Sequence, residues 1–154
     1  MKLLLLFTMF LIADFAFAQD ASFAKSNQIT LIGCDGDCEV VILRKTNEIM
    51  AAKNWRWGAD SQSPSLRLES LSVKFLGQEA HIPLSAFIDL GDPKKIELFG
   101  RKDSLAVHIY GGETSTSYRA ILYFQLGRLA NKKVCASEFP TESCEKTEYL
   151  FIAN

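Results

Sequence analysis

The residues able to do chemistry in this chain are few and scattered. There are two histidines, His81 and His108, and four cysteines, Cys34, Cys38, Cys135 and Cys144. His81 stands beside Pro83, and His108 alternates with Ala106 and Tyr110 in a strand-like run. Nucleophilic catalysis needs a base in contact with a serine or cysteine, and no local signature such as G-x-S-x-G accompanies either histidine. The cysteine spacing C-x3-C is not the redox C-x-x-C. No zinc-type spacing of His and Cys occurs. Asp35, Asp37 and Glu39 offer three carboxylates in five residues, far short of a calcium loop. Glu97, Asp103 and Glu113 are available for glycan chemistry, which needs a carboxylate pair roughly 5–9 Å apart, but no spacing argues for one. No catalytic residue, metal or cofactor is expected.

Two clusters suit contact instead of catalysis. Ser115, Ser117, Tyr118 and Arg119 close a small polar loop, Gly111–Arg119. Tyrosine and arginine supply contact area and directional bonds, and serine adapts its hydroxyl. Trp55 and Trp57 flank Arg56, so in a strand both tryptophans share one side, as an aromatic platform or as core.

The elements that must position these residues are strands. Leu105–Tyr110, Tyr118–Leu126 and Leu129–Ala136 read as an antiparallel meander rich in β-branched and aromatic residues. A two-residue turn at Gly127-Arg128 puts Ile121 opposite Val134 and Tyr123 opposite Lys132. Pairing Tyr110 with Tyr118 then places Leu105, Val107, Ile109, Ile121, Tyr123 and Val134 on one face. Tyr110, Tyr118, Leu122, Phe124 and Leu126 fall on the other. Ile29–Ile32 and Glu39–Arg44 form an earlier hairpin. Leu66–Leu76 changes apolar parity, which predicts a bulge near Glu69-Ser70. Gly77-Gln78 turns the chain toward Ala80–Ile82. Pro83–Leu90 reads as one or two helical turns burying Leu84, Phe87 and Ile88. Thr46 opens either a short helix, which the composition favours, or a turn into another strand; Lys95–Phe99 is a strand, and Glu148–Ile152 a last one. The expected fold is an antiparallel β-sandwich with one or two short helices, or an up-and-down barrel as alternative.

Residues 1–18 read as a signal peptide. Lys2 precedes an apolar run, and Ala16-Phe17-Ala18 forms a small-x-small cleavage site. The apolar run is too short to span a bilayer, which takes roughly 20 residues. Removing 18 from 154 residues leaves 136, one domain's worth, at an unchanged net charge of −1. Residues 19–28 are expected to be a flexible lead-in and 29–154 a single β domain. A periplasmic or secreted location follows, without stable membrane insertion. Near-neutral charge gives no footprint for nucleic acid. An oxidising compartment predicts disulfides. The local pairs Cys34–Cys38 and Cys135–Cys144 are favoured over crossing bridges.

The export signal, the all-β plan and the loop Ser115 to Tyr118 resemble the periplasmic lysozyme inhibitors of bacteria. That resemblance implies a loop bearing Ser115 and Tyr118 that enters the cleft of a hydrolase. From Pro83 to Tyr149, the segments Leu84-Ser85-Ala86-Phe87, Gly111-Gly112, Ser117-Tyr118-Arg119 and Glu138-Phe139-Pro140 are similar to exported bacterial proteins of unassigned function. The leading expectation is a non-enzymatic binding module that meets a protein partner, a cell-wall hydrolase or a toxin, through Gly111–Arg119. The alternatives are a structural envelope-assembly protein and a glycan-acting enzyme or glycan binder.

Overall fold

The computed structural model describes residues 17–46, 57–58, 64–142 and 144–150. Among these residues ten strands are formed: β1 Phe17–Ser22, β2 Gln28–Gly33, β3 Cys38–Thr46, β4 Leu66–Phe75, β5 Gln78–Glu79, β6 Pro93–Arg101, β7 Ser104–Gly111, β8 Tyr118–Gln125, β9 Arg128–Ala136 and β10 Cys144–Glu148. They make a six-stranded sheet, β1-β6-β7-β8-β9-β10, and a four-stranded sheet, β2-β3-β4-β5. All named pairings are antiparallel. The two sheets remain separate and open, so the molecule is a sandwich and the barrel alternative falls.

Alternation explains how the sheets close on each other. In β7, Leu105, Val107 and Ile109 are fully buried, while Ser104, Ala106, His108 and Tyr110 face outward and are half-buried. In β6, Ile96 and Leu98 point in. Val40 and Ile42 of β3 and Val73 and Phe75 of β4 meet them from the smaller sheet in one continuous core. Burial at about 25 cal/mol per Å² of apolar surface is the main force holding the layers together. The predicted bulge is present: Leu43 pairs with Ser70 but Arg44 with Leu68, leaving Glu69 extra. It turns Leu68 and Leu71 both inward, at 1% and 8% exposure.

The register of the meander differs from the expectation. The tight turn is Leu126-Gly127, with φ of 50° and 77°, between the paired Gln125 and Arg128. Both central residues at positive φ make this the mirror-image turn that matches strand twist. A bulge between Tyr123 and Phe124 follows. Val134 therefore pairs with Ala120, Lys133 with Ile121 and Asn131 with Tyr123. A one-residue slip exchanges the two faces of a strand. Tyr118, Ala120, Leu122 and Phe124 are the core residues of β8, and Ile121 and Tyr123 lie outside. The preceding hairpin shifts likewise, with Gly111, not Tyr110, opposite Tyr118. A second turn of the same kind, Leu76-Gly77 at φ of 55° and 72°, replaces Gly77-Gln78.

Residues 19–28 are not a free lead-in. Phe17–Ser22 pairs along β6, and Phe23 is buried at 1% exposure. Arg44 latches this corner, donating from Nη2 to the Phe23 carbonyl at 2.7 Å and from Nη1 to the Pro93 carbonyl at 2.9 Å. Its guanidinium lies 4.6 Å from the Phe23 ring centroid. An edge ladder plus one aromatic anchor outweighs the polar composition of the segment.

Both local disulfides, Cys34–Cys38 and Cys135–Cys144, are formed. The second joins directly opposed residues of β9 and β10, so the last strand starts at Cys144 and not at Glu148. Pro83–Leu90 holds a 3-10 turn, Leu84–Ala86, whose inward residues are Ala86, Phe87 and Leu90. Leu84 and Ile88 are exposed, because the tighter 3-10 winding moves them off the α-helical face. The expected helix after Thr46 lies outside the described residues. Among those residues no helix is long and apolar enough to cross a membrane. Disulfides fit an oxidising, exported location.

Candidate functional site

The outer face of the six-stranded sheet gathers the chemistry that looked scattered in the sequence. Register fixes it in rows across the strands. One row runs Ser22, Lys95, Tyr110, Arg119, Cys135, Cys144; the next runs Asp20, Glu97, His108, Ile121, Lys133, Lys146; a third runs Ala18, Phe99, Ala106, Tyr123, Asn131, Glu148. The four central strands β6–β9 that carry these rows have their opposite sides in the core.

Glu97 is the hub. Lys95 Nζ donates to its Oε1 at 2.7 Å, and the Tyr110 hydroxyl donates to Oε2 at 2.6 Å. Lys95 also reaches Asp20 at 3.3 Å. These two hydrogen bonds hold the Glu97 carboxyl below the usual carboxylate range. Tyr110 Oη lies 3.5 Å from His108 Nδ1, and the His108 ring packs 4.5 Å from that of Phe99. Burial, followed by the nearby Arg119 charge, pushes the His108 pKa down. At neutral pH the cluster thus presents an ionised Glu97, a neutral His108 and the Arg119 guanidinium on one rigid surface. Glu97 is committed to Lys95 and Tyr110, and among the described residues no serine, threonine or cysteine is hydrogen-bonded to His108. The arrangement can offer donors, acceptors and ring faces to a ligand, and it contains no assembled nucleophile and base.

The residues singled out from the sequence separate. Arg119 belongs to this face, beside Tyr110. Tyr118 does not. It is fully buried, and its hydroxyl donates to the Gly91 carbonyl at 2.9 Å. Glycines wall its socket: a Cβ on Gly111 would lie 2.5 Å from the Tyr118 hydroxyl, and one on Gly58 would lie 2.7 Å from its ring. Tyr118 is thus a core residue, not a partner contact, and it cannot enter a hydrolase cleft without leaving the core. Ser115 is exposed, at the middle of the 3-10 turn Thr114–Thr116. Ser117 Oγ donates to the Thr114 carbonyl at 2.8 Å, and Thr116 Oγ1 to that of Glu113 at 2.9 Å. Two of the loop's hydroxyls are thus spent on its own backbone.

Trp57 is no platform. It bridges to Leu90, packs against the core, and its ring centroid lies 6.4 Å from that of Tyr118. Trp55 lies outside the described residues. Asp103 sits in the β6–β7 turn and Glu113 beyond the far end of β7, separated by the length of that strand, roughly 23 Å at 3.3 Å per residue. Glu97 lies between them along the sheet, and the three do not converge. His81 is exposed in the segment before the 3-10 turn.

Sequence reasoning saw His108 and Tyr110 on one side of β7 but did not join them to Glu97. The signal was present in the shared parity of Lys95, Glu97 and Phe99, once the Lys102-Asp103 turn pairs Arg101 with Ser104. No family model, curated protein or solved structure matches the chain.

Proposed function

We propose that this chain is an exported binding module without catalytic activity, which holds a protein partner on the outer face of its six-stranded sheet around Arg119, Tyr110 and His108. The observation that carries this reading is the Lys95–Glu97–Tyr110–His108 network, fixed by hydrogen bonds on a face that no second sheet covers among the described residues. Side chains ordered before binding lose little entropy on association, and tyrosine and arginine are the residues that dominate contact energies. The Gly111–Arg119 loop contributes through Arg119 and, at its rim, Ser115. Tyr118 serves it only as an anchor. Hydrolases of the cell wall and toxins remain the partner classes to screen first.

The test is capture from envelope or secreted extract with the disulfide-bonded chain, comparing it with Arg119→Glu and His108→Ala. Loss of one stoichiometric partner in either variant supports the reading. Equal capture by all three removes this face from consideration.

An assembly role is favoured by a different feature. The turns Leu76-Gly77 and Leu126-Gly127 lie side by side, since a Cβ on Gly127 would be 3.7 Å from the Phe75 carbonyl. Their leucines are 44% and 66% exposed. Concentration-dependent self-association abolished by Leu76→Asn with Leu126→Asn would shift weight to that role.

A further inference from the structure

We infer that a slot at one end of the outer face, walled by Phe99 and Tyr123 with Arg101 at its mouth, binds a single pyranose ring that bears a carboxylate. The inference does not rest on the partner surface around Arg119.

The slot exists because of one small residue. Phe99, Ala106 and Tyr123 are cross-strand neighbours in a single row. The outward residues of β7 are Ser104, Ala106, His108 and Tyr110, and the one that stands between the two rings is Ala106, whose side chain is a single methyl. The resulting cavity of about 300 Å³ is lined by Phe99, Gly100, Arg101, Ser104, Ala106 and Tyr123. That is the low end of small-molecule sites and suits one ring, not a chain of them. The walls stand on strands two intervals apart, roughly 9.6 Å at the backbone. A flat aromatic guest needs only about 7 Å, two contacts of 3.5 Å. A puckered, saturated ring with hydrogens on both faces fills the wider gap and presents C–H groups to each wall. Phe99 is braced on one side by the His108 ring, 4.5 Å away, so this wall is set before a ligand arrives.

The polar groups lie at one end. Arg101 and Ser104 are paired across the β6–β7 turn. Arg101 is exposed and, among the described residues, forms no ion pair. Its guanidinium fork matches a carboxylate in two parallel hydrogen bonds. The Ser104 hydroxyl can donate to or accept from a ring hydroxyl. Lys102 and Asp103 complete the turn with opposite charges, which leaves Arg101 as the net positive group at the mouth. Apolar walls, a hydroxyl and a terminal guanidinium together describe an acidic sugar.

The test is an NMR titration of the disulfide-bonded chain with glucuronic acid, and with glucose and acetate as controls at constant ionic strength. Shifts concentrated at the Ala106 methyl and the Phe99 and Tyr123 rings are expected, with glucuronic acid binding at least about tenfold tighter than glucose. That factor is the scale of one charged hydrogen bond. Ala106→Leu, which fills the slot on a strand-compatible surface position, should abolish the shifts. Arg101→Gln should equalise the acid and the neutral sugar. Arg119→Glu should leave the titration unchanged, which separates failure of this site from failure of the partner surface. Shifts that are absent, located elsewhere, or preserved in Ala106→Leu overturn the site. Equal binding of glucose and glucuronic acid by the unaltered chain overturns its acidic specificity.

Discussion

Tyr118 shows how one side chain ties the parts of this molecule together. Its phenol fills a socket formed by Gly58, Gly91 and Gly111 and ends on the Gly91 carbonyl. Burial, then the Asp89 and Asp92 charges, push its pKa up, so it stays neutral. Tyr118→Ala should cost about 3–5 kcal/mol, the range for emptying a buried aromatic site. Tyr118→Phe should cost about 1–2 kcal/mol through the carbonyl left unpaired. Urea denaturation of both variants checks the ratio, and a loss below 1 kcal/mol for Tyr118→Ala would contradict the burial. The outer face makes a different prediction. His108 is held neutral by burial, so its folded pKa lies below the ordinary value of about 6.5. Its contribution to stability is complete above that pH and declines as pH falls toward the folded pKa. Glu97 is held ionised, so its contribution is complete above about 4.3 and is lost as pH falls through its lowered folded value. Acid should therefore weaken the fold in two stages. His108→Gln should remove the upper one, read as the denaturation midpoint between pH 4 and 7.5.

Turns, strand ends and their staples carry the next level. Leu76 and Leu126 occupy positive φ, where an L side chain with a bulky Cγ is disfavoured by about 1 kcal/mol or more. Asparagine tolerates that region and is the usual residue there. Leu126→Asn should stabilise the protein by roughly 0.5–1 kcal/mol, seen as a higher denaturation midpoint at unchanged slope. A lower midpoint would mean that Leu126 contributes packing beyond its turn. At the sheet's inner edge, Lys132 is buried at 5% exposure, with its ammonium on Asp89 and 3.4 Å from the Ser85 carbonyl. Asp89→Ala should cost about 3 kcal/mol by stranding that charge. Lys132→Met combined with Asp89→Leu should recover most of the loss, which a double-mutant cycle measures. The strand β10 is tied to β9 by its disulfide as well as by its ladder. Of its five residues, Lys146, Thr147 and Glu148 are exposed, and Tyr149 N–H donates to the Ala130 carbonyl at 2.9 Å. Cys135→Ala with Cys144→Ala should speed amide exchange in 144–149 selectively, while β6–β8 keep their protection.

At the scale of the whole molecule, local chemistry in the chain was enough for much of the architecture. Parity in Leu105–Tyr110 grouped Leu105, Val107 and Ile109 on one face, the change of parity in β4 marked its bulge, and cysteine proximity favoured both disulfides. These signals are legible because each depends on neighbours within a few residues. The polar 19–28 segment misled for the same reason. Its order comes from a ladder to β6, some 75 residues away in sequence, and from Phe23 beneath Arg44. Cleavage after Ala18 would keep Gln19–Ser22 in that ladder, and N-terminal sequencing of exported protein should begin at Gln19.

The candidate site divides in the same way. By itself the sequence determined an all-β chain with little helix, favoured a sandwich over a barrel and local over crossing disulfides, and put His108, Ala106 and Tyr110 on one side of a strand; the two open sheets and the paired cysteines of the tertiary structure made both choices. Only the tertiary structure decided which side of β8 is core. Tyr118, Ala120, Leu122 and Phe124 on one parity compete with Ile121 and Tyr123 on the other, and both sets are apolar. The choice rests on a turn placed at Leu126-Gly127, where leucine gives no hint of positive φ. That single-residue difference buried Tyr118 and turned Arg119 and Tyr123 outward, which set Arg119 beside the network carried by β6 and β7 and gave the slot its second wall.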